Sequence, residues 1–342
     1  MVSIFSDYRP LKKNAWIGRV DDPDDYDSFR WHQIIESIDL TKDEIEELSE
    51  GEKGYCFLGF CCDTGVERNQ GRIGASKGPS SIRKEMANLS CSFSKDTRLF
   101  DAGGIYCTNK DLSSAQTDLS KAVKLLMSKG YFPIVLGGGH ELAFGHYMGI
   151  VNSLMDSRTN AQQPGKLPLG IINFDAHLDF RPYENGPNSG SMFTQIANFC
   201  QDEDMRFSYM CVGVQKYGNT VNLFKRADQL GANYIFAKDI SENTLQEIKN
   251  RIISFLDEHE HIYLTICTDV FSSAYAPGVS SPQPFGLLPE TALALIKQVA
   301  GSEKVTSVDI AEVSPRFDED NQTAKLAAII VYAIVMLRED VN

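Results

Sequence analysis

The chain has 342 residues, of which 42% are hydrophobic and 23% charged, and a formal net charge of -13. Such a length and composition fit an ordinary globular protein with one large α/β domain or two small ones. The acidic balance argues against broad nucleic-acid binding, which needs a basic surface. In chain order, residues 1–10 lack the basic and apolar regions of a secretory signal, and residues 1–50 read as an extension packed on the core. Residues 51–342 then alternate between short apolar strands and amphipathic helices, the pattern of a single α/β domain. Strands are predicted over 55–61, 97–101, 133–136, 167–174, 208–214, 233–237, 262–267 and 306–310. Helices are predicted over 79–89, 112–129, 142–156, 220–230, 242–258, 289–300 and 324–338. The longest apolar run, 326–337, is too short to span a bilayer, so no membrane partner is expected. Several strands are apolar throughout, as when helices cover both faces of a parallel sheet. The fold expected is therefore a three-layer α/β/α sandwich with a mostly parallel, about eight-stranded sheet.

Sheets of this kind bind ligands at the carboxyl ends of their strands. The run Leu169-Gly-Ile-Ile-Asn-Phe174 ends in Asp175-Ala-His177-Leu-Asp179, and side chains two apart point the same way. The strand ending at Leu136 runs into Gly137-Gly-Gly-His140-Glu141, and the strand 262–267 into Cys267-Thr-Asp269. His140, Asp175, His177, Asp179 and Asp269 thus gather at three strand ends, with Cys267 at an alternate position. A mixed oxygen and nitrogen donor set suits a borderline or hard divalent cation such as manganese. The glycines could otherwise cradle a phosphate, but neither G-x-G-x-x-G nor a Walker lysine accompanies them. His32, His146, His259 and His261 lack clustered partners and read as surface or packing residues. Eight cysteines scattered through the chain read as reduced thiols of a cytoplasmic protein.

Taken jointly, these motifs resemble the ureohydrolase (arginase/agmatinase) superfamily. The matches are the runs at 137–141 and 175–179, Asp269 followed by Ala276-Pro-Gly-Val-Ser-Ser-Pro282, Asp309-Ile-Ala-Glu312-Val-Ser-Pro315, and the glycine-rich stretches 65–75 and 78–83. Trp16-Ile-Gly-Arg19, Arg30-Trp-His-Gln33, Ser189-Gly-Ser-Met-Phe193, Val212-Gly-Val-Gln215 and Tyr217-Gly-Asn-Thr220 resemble the formimidoylglutamase branch. The resemblance implies an arginase-like fold and hydrolysis of a linear amidine, N-formimidoyl-L-glutamate, to L-glutamate and formamide in histidine degradation. Other ureohydrolase specificities, toward agmatine, guanidinobutyrate or arginine, are the alternatives. It further implies two divalent metal ions, Mn2+ first among them, and a homo-oligomer. His140 and Asp179 would hold one ion, His177 and Asp269 the other, with Asp175 bridging. Asp269 would guide the proton to the leaving amine and Glu312 would receive the amidine. Arg72 and Arg181, with Asn188 and Ser189, would meet the carboxylates of the substrate.

The chain departs from the superfamily at Cys267, where an aspartate would bridge both ions. A thiolate there would itself bridge and favour Zn2+. An inert thiol would leave one site partly occupied, or the fold would be retained without catalysis.

Overall fold

A computed structural model describes residues 5–42, 44–49, 51–157 and 167–340; the outermost residues of both expected units lie outside this range. The eight expected strands are all present: β3 (Gly54–Cys61), β4 (Arg98–Tyr106), β5 (Phe132–Gly137), β6 (Leu169–Phe174), β7 (Tyr209–Val214), β8 (Asn233–Phe236), β9 (His261–Cys267) and β10 (Val305–Ala311). They run parallel in the order β4-β3-β5-β10-β9-β6-β7-β8. Two strands of two residues, β1 (Tyr8–Arg9) and β2 (Glu36–Ser37), both pair with β4 and raise the total to ten. They are too short to carry a period, so no strand pattern marked them in advance. Their place covers the open edge of β4, where unpaired backbone would invite another chain.

The expected helices correspond to α3 (Gly78–Met86), α4 (Leu112–Ser128), α5 (Leu142–Asp156), α7 (Val221–Gln229), α8 (Leu245–Asp257), α9 (Pro289–Ala300) and α10 (Gln322–Asp340). Three helices were not expected: α1 (Trp31–Ile34), α2 (Thr64–Arg68) and α6 (Met192–Asp202). The period of α6 was readable, since Met192, Phe193, Ile196, Ala197 and Cys200 are its buried face. Strand β4 also runs past the predicted end at Asp101, through Gly103 and Gly104 to Tyr106. Gly103 has φ +75° and a β-carbon there would meet the Arg9 carbonyl at 2.3 Å. The glycines mark a register shift against β3 between Phe57 and Gly59, not a strand end.

Alternate strand residues feed two cores. Tyr55 and Phe57 join Ile82, Ile252, Leu295 and Val331 on the face covered by α3, α8, α9 and α10. Cys56 and Leu58 join Leu119, Val123, Ile150, Ile196 and Leu223 on the face covered by α4 to α7. This is the three-layer α/β/α arrangement. Helix α10 is longer than the apolar run suggested, and the helical stretch Glu319–Glu339 is long and apolar enough to cross a membrane by length and composition alone; half of its most apolar 18 residues are buried. Core packing accounts for its apolarity. The Arg83 guanidinium, on α3, grips Asp101 through Nε at 2.6 Å and Nη2 at 2.9 Å, and Trp16 donates its indole N–H to the same carboxylate at 2.8 Å. All eight cysteines are unpaired.

Candidate metal centre

The strands that carry the polar ends are neighbours: β5, β10, β9 and β6 lie side by side. Four carboxyl ends therefore open on one place. After β5 the chain needs glycine, because a β-carbon on Gly138 would lie 2.3 Å from the Phe60 carbonyl and 2.5 Å from that of Cys62. The Gly139 N–H donates to the Cys62 carbonyl at 2.8 Å and the Glu312 N–H to the Gly138 carbonyl at 2.8 Å. This seats His140, whose own N–H donates to Glu312 Oε1 at 3.0 Å. Its ring meets Thr265 Oγ1 through Nε2 at 2.9 Å. The other ring nitrogen, Nδ1, is buried without a hydrogen-bond partner, 3.0 Å from Asp175 Oδ2 and 3.5 Å from Asp179 Oδ2.

The turn after β6 is held from both sides. Asn173 donates to Asp175 Oδ2 at 3.2 Å, and the His177 N–H to Asp175 Oδ1 at 2.7 Å. Asn219 accepts the Leu178 N–H at 2.9 Å and donates to the Ala176 carbonyl at 2.9 Å. His177 Nδ1 then lies 3.0 Å from Asp269 Oδ2 and 3.5 Å from Asp175 Oδ1. Asp175 stands between the two imidazoles, one oxygen toward each. Two donor groups result, His140 with Asp175 and Cys267, and Asp175 with His177 and Asp269, each with its ligand atoms within 4.8 Å of one another. Asp179 (φ +54°) and Glu312 (φ +70°) adopt left-handed backbone, a strain that side chains other than glycine tolerate mainly where surrounding structure imposes it.

Without a cation the charges of this cluster must settle among themselves. Burial disfavours protonated His140 and His177, yet the adjacent carboxylates outweigh it and hold both well above the ordinary histidine value. Burial likewise works against Asp175, but the two cationic imidazoles beside it, His140 and His177, leave it below the usual range. Asp179 is pushed up to about 6 by burial and the Asp175 charge, and the same two causes raise Asp269. Burial, then the charges of Asp175, Asp269 and Glu312, hold the Cys267 thiol well above its usual value. A bridging thiolate at Cys267 thus requires a cation nearby. Burial pushes Glu312 up to about 7, helped by the Asp269 charge. Its Oε1 is engaged by His140, and its Oε2 is buried with no partner.

The substrate-side residues divide. Asn188 accepts the Gly190 N–H at 2.9 Å, Ser189 accepts from Asn69 at 3.2 Å, and the Arg181 N–H donates to the Gly190 carbonyl at 2.8 Å, so these three share one loop with an exposed Arg181 side chain. Arg72 goes elsewhere. Its Nη2 donates to the carbonyls of Val279 at 2.6 Å and Pro277 at 3.3 Å, and its guanidinium stacks 4.1 Å over Phe317. Sequence reasoning gave no role to Asn173, Asn219 or Thr265. Asn173 carried the one available signal, an amide interrupting an apolar strand.

The arginase-family model matches residues 53–337. The formimidoylglutamase of Clostridium tetani is 50% identical over 329 residues, 96% of this chain and 95% of that protein. That of Geobacillus thermodenitrificans is 43% identical over 321 residues, 94% of each. Among solved structures, formimidoylglutamase from Bacillus subtilis aligns with a TM-score of 0.76 at 20% identity, over 96% of both chains. Trypanosoma cruzi formiminoglutamase with Mn2+ aligns with a TM-score of 0.71 at 22% identity, over 85% of this chain and 95% of that one.

Proposed function

The chain belongs to the arginase family, and from that premise we propose that it hydrolyses N-formimidoyl-L-glutamate to L-glutamate and formamide. The observation that carries this reading is a buried carboxylate, Asp175, shared between two donor groups, with the unpartnered Glu312 Oε2 in the same cluster. The orphaned Nδ1 of His140 and the crowding of like charges fit a pair of divalent cations, held by His140, Asp175, Asp179 and Cys267 on one side and by Asp175, His177 and Asp269 on the other. The oxygen-rich donor set supports Mn2+. Such a pair, when bound, supplies the charge that makes water nucleophilic at neutral pH.

The protein's own groups do the rest. Glu312 receives the N–H groups of the amidine through Oε2, a charge-assisted contact in a buried setting, and orients its carbon. The water oxygen adds to that carbon, the bond from carbon to the glutamate nitrogen breaks, and the oxygen leaves as the carbonyl of formamide. Asp269 takes the two protons of the water in turn and delivers both to the departing nitrogen, so that a cationic amidine gives neutral formamide and the ammonium form of glutamate. Arg181, with Asn188 and Ser189, receives the carboxylates of the substrate, while Arg72 holds the 277–279 segment through its carbonyls.

The test is a formamide-release assay on Mn2+-loaded protein. One formamide per glutamate is expected, with no urea from agmatine. Protein carrying two Mn2+ per chain that releases no formamide, or that cleaves agmatine faster, overturns the reading.

A further inference from the structure

Behind His140, away from the substrate side, lies a buried polar chain for which the mechanism above has no use. Thr265 donates through Oγ1 to Asp309 Oδ1 at 2.6 Å. The other oxygen of Asp309 accepts from Tyr263 Oη at 2.5 Å and meets His146 Nδ1 at 2.7 Å. His146 Nε2 lies 2.6 Å from Ser307 Oγ, which donates to the Pro133 carbonyl at 2.8 Å. Thr265, Asp309, Tyr263, His146 and Ser307 all have no exposed surface.

We propose that Thr265 and Asp309 are positioning residues that decide which ring nitrogen of His140 faces the cations, an inference resting on the metal-centre reading above. A hydroxyl has one proton to give. Asp309 is acceptor-only, and it takes the proton of Thr265 from one side while Tyr263 and His146 satisfy it from the other. Thr265 Oγ1 is then left to accept, so its contact with His140 Nε2 at 2.9 Å requires the proton on Nε2. The lone pair of His140 is thereby placed on Nδ1, the atom 3.0 Å from Asp175. A carboxylate acting on a metal-binding histidine is a known tuning device; here the effect passes through a threonine on β9, and the carboxylate sits on β10. His146, which sequence reasoning placed among packing residues, helps to fix Asp309.

The test compares Mn2+ affinity in the wild-type protein, Thr265→Val and Thr265→Ser, with thermal unfolding run on each. Valine keeps the shape and suits a strand but has no hydroxyl; serine keeps the hydroxyl. Thr265→Val is expected to lose about 10- to 100-fold in affinity at one of two sites, and Thr265→Ser to stay within roughly threefold of wild type, since the relay survives. NMR of labelled histidine in the Zn2+-loaded wild type reads the ring directly, with ligation at Nδ1 and a proton at Nε2 expected. Wild-type affinity in Thr265→Val, an equal loss in Thr265→Ser, or ligation through Nε2 overturns the relay and leaves the metal centre standing. The NMR arm decides even if no variant folds. A wild-type chain that takes up no Mn2+ overturns the metal centre itself.

Discussion

Replacing Cys267 by aspartate tests the centre where the chain departs from the superfamily. Cys267 already lies among Asp175, Asp269 and Glu312, whose charges add to burial in raising its thiol. Without cations, Cys267→Asp adds a further carboxyl to this cluster, and that carboxyl escapes the repulsion only by staying protonated. At pH 7.5 this costs about 1.4 kcal/mol for each unit above an ordinary pKa of about 3.9, or about 5 kcal/mol. At about 2.1 cal/mol/K per residue, a chain of 342 residues has an unfolding entropy near 0.7 kcal/mol/K, so the Tm of the metal-free variant falls by about 7 °C. The deficit shrinks by about 2 °C per unit as pH is lowered toward 4. Saturating Mn2+ reverses it, and the preference for Mn2+ over Zn2+ rises because a hard oxygen replaces a soft sulfur. Differential scanning fluorimetry across pH, with and without each metal, measures all of this. A metal-free Tm within about 1 °C of wild type, together with an unchanged metal preference, would refute the placement of Cys267 among the donors.

Glu312→Gln keeps an acceptor for the His140 N–H but loses the charge offered to the amidine. A charge-assisted bond worth about 1.5–3 kcal/mol implies a fall in kcat/KM of roughly 10- to 100-fold with Mn2+ content unchanged; parallel loss of metal would instead make Glu312 a ligand. Asp101→Ala strands the Arg83 guanidinium, whose side chain is only 7% exposed, and is expected to destabilise by about 3–5 kcal/mol; a denaturant midpoint shift equivalent to less than about 1 kcal/mol contradicts the burial argument. His140 and His177 are raised by their carboxylates despite burial, and Glu312 and Glu141 are raised by burial to about 7 and about 8. All four hold protons more tightly folded than unfolded, so the stability they contribute is present at low pH and lost as pH rises through the folded values. Metal-free protein should therefore lose Tm from about pH 5 to 8, and a rising Tm over that window would be inconsistent with these shifts.

Much of the site was legible because parallel sheets place function at strand ends, and strand ends are visible as apolar runs that stop at polar residues. Asp175, His177 and Asp179 needed only that rule, as did His140 and Asp269. The supporting bonds were not legible. Asn219 reaches the turn from 41 residues away and Thr265 reaches His140 across 125, and nothing local marks either pairing. The engagement of Arg72 was equally hidden, because the carbonyls that occupy it lie more than 200 residues on. Helix α6 could have been read from its period, whereas β1 and β2 could not, since two residues have none.

Strand β10 is the last of the sheet to be synthesised, yet it sits between β5 and β9. Until it emerges from the ribosome, two interior strands present bare edges to one another and to any neighbouring chain. The bond from the His140 N–H to Glu312 spans 172 residues, so the seat of that histidine is completed only when nearly the whole polypeptide has been made. Truncations that stop short of residue 305 should leave both edges open and aggregate.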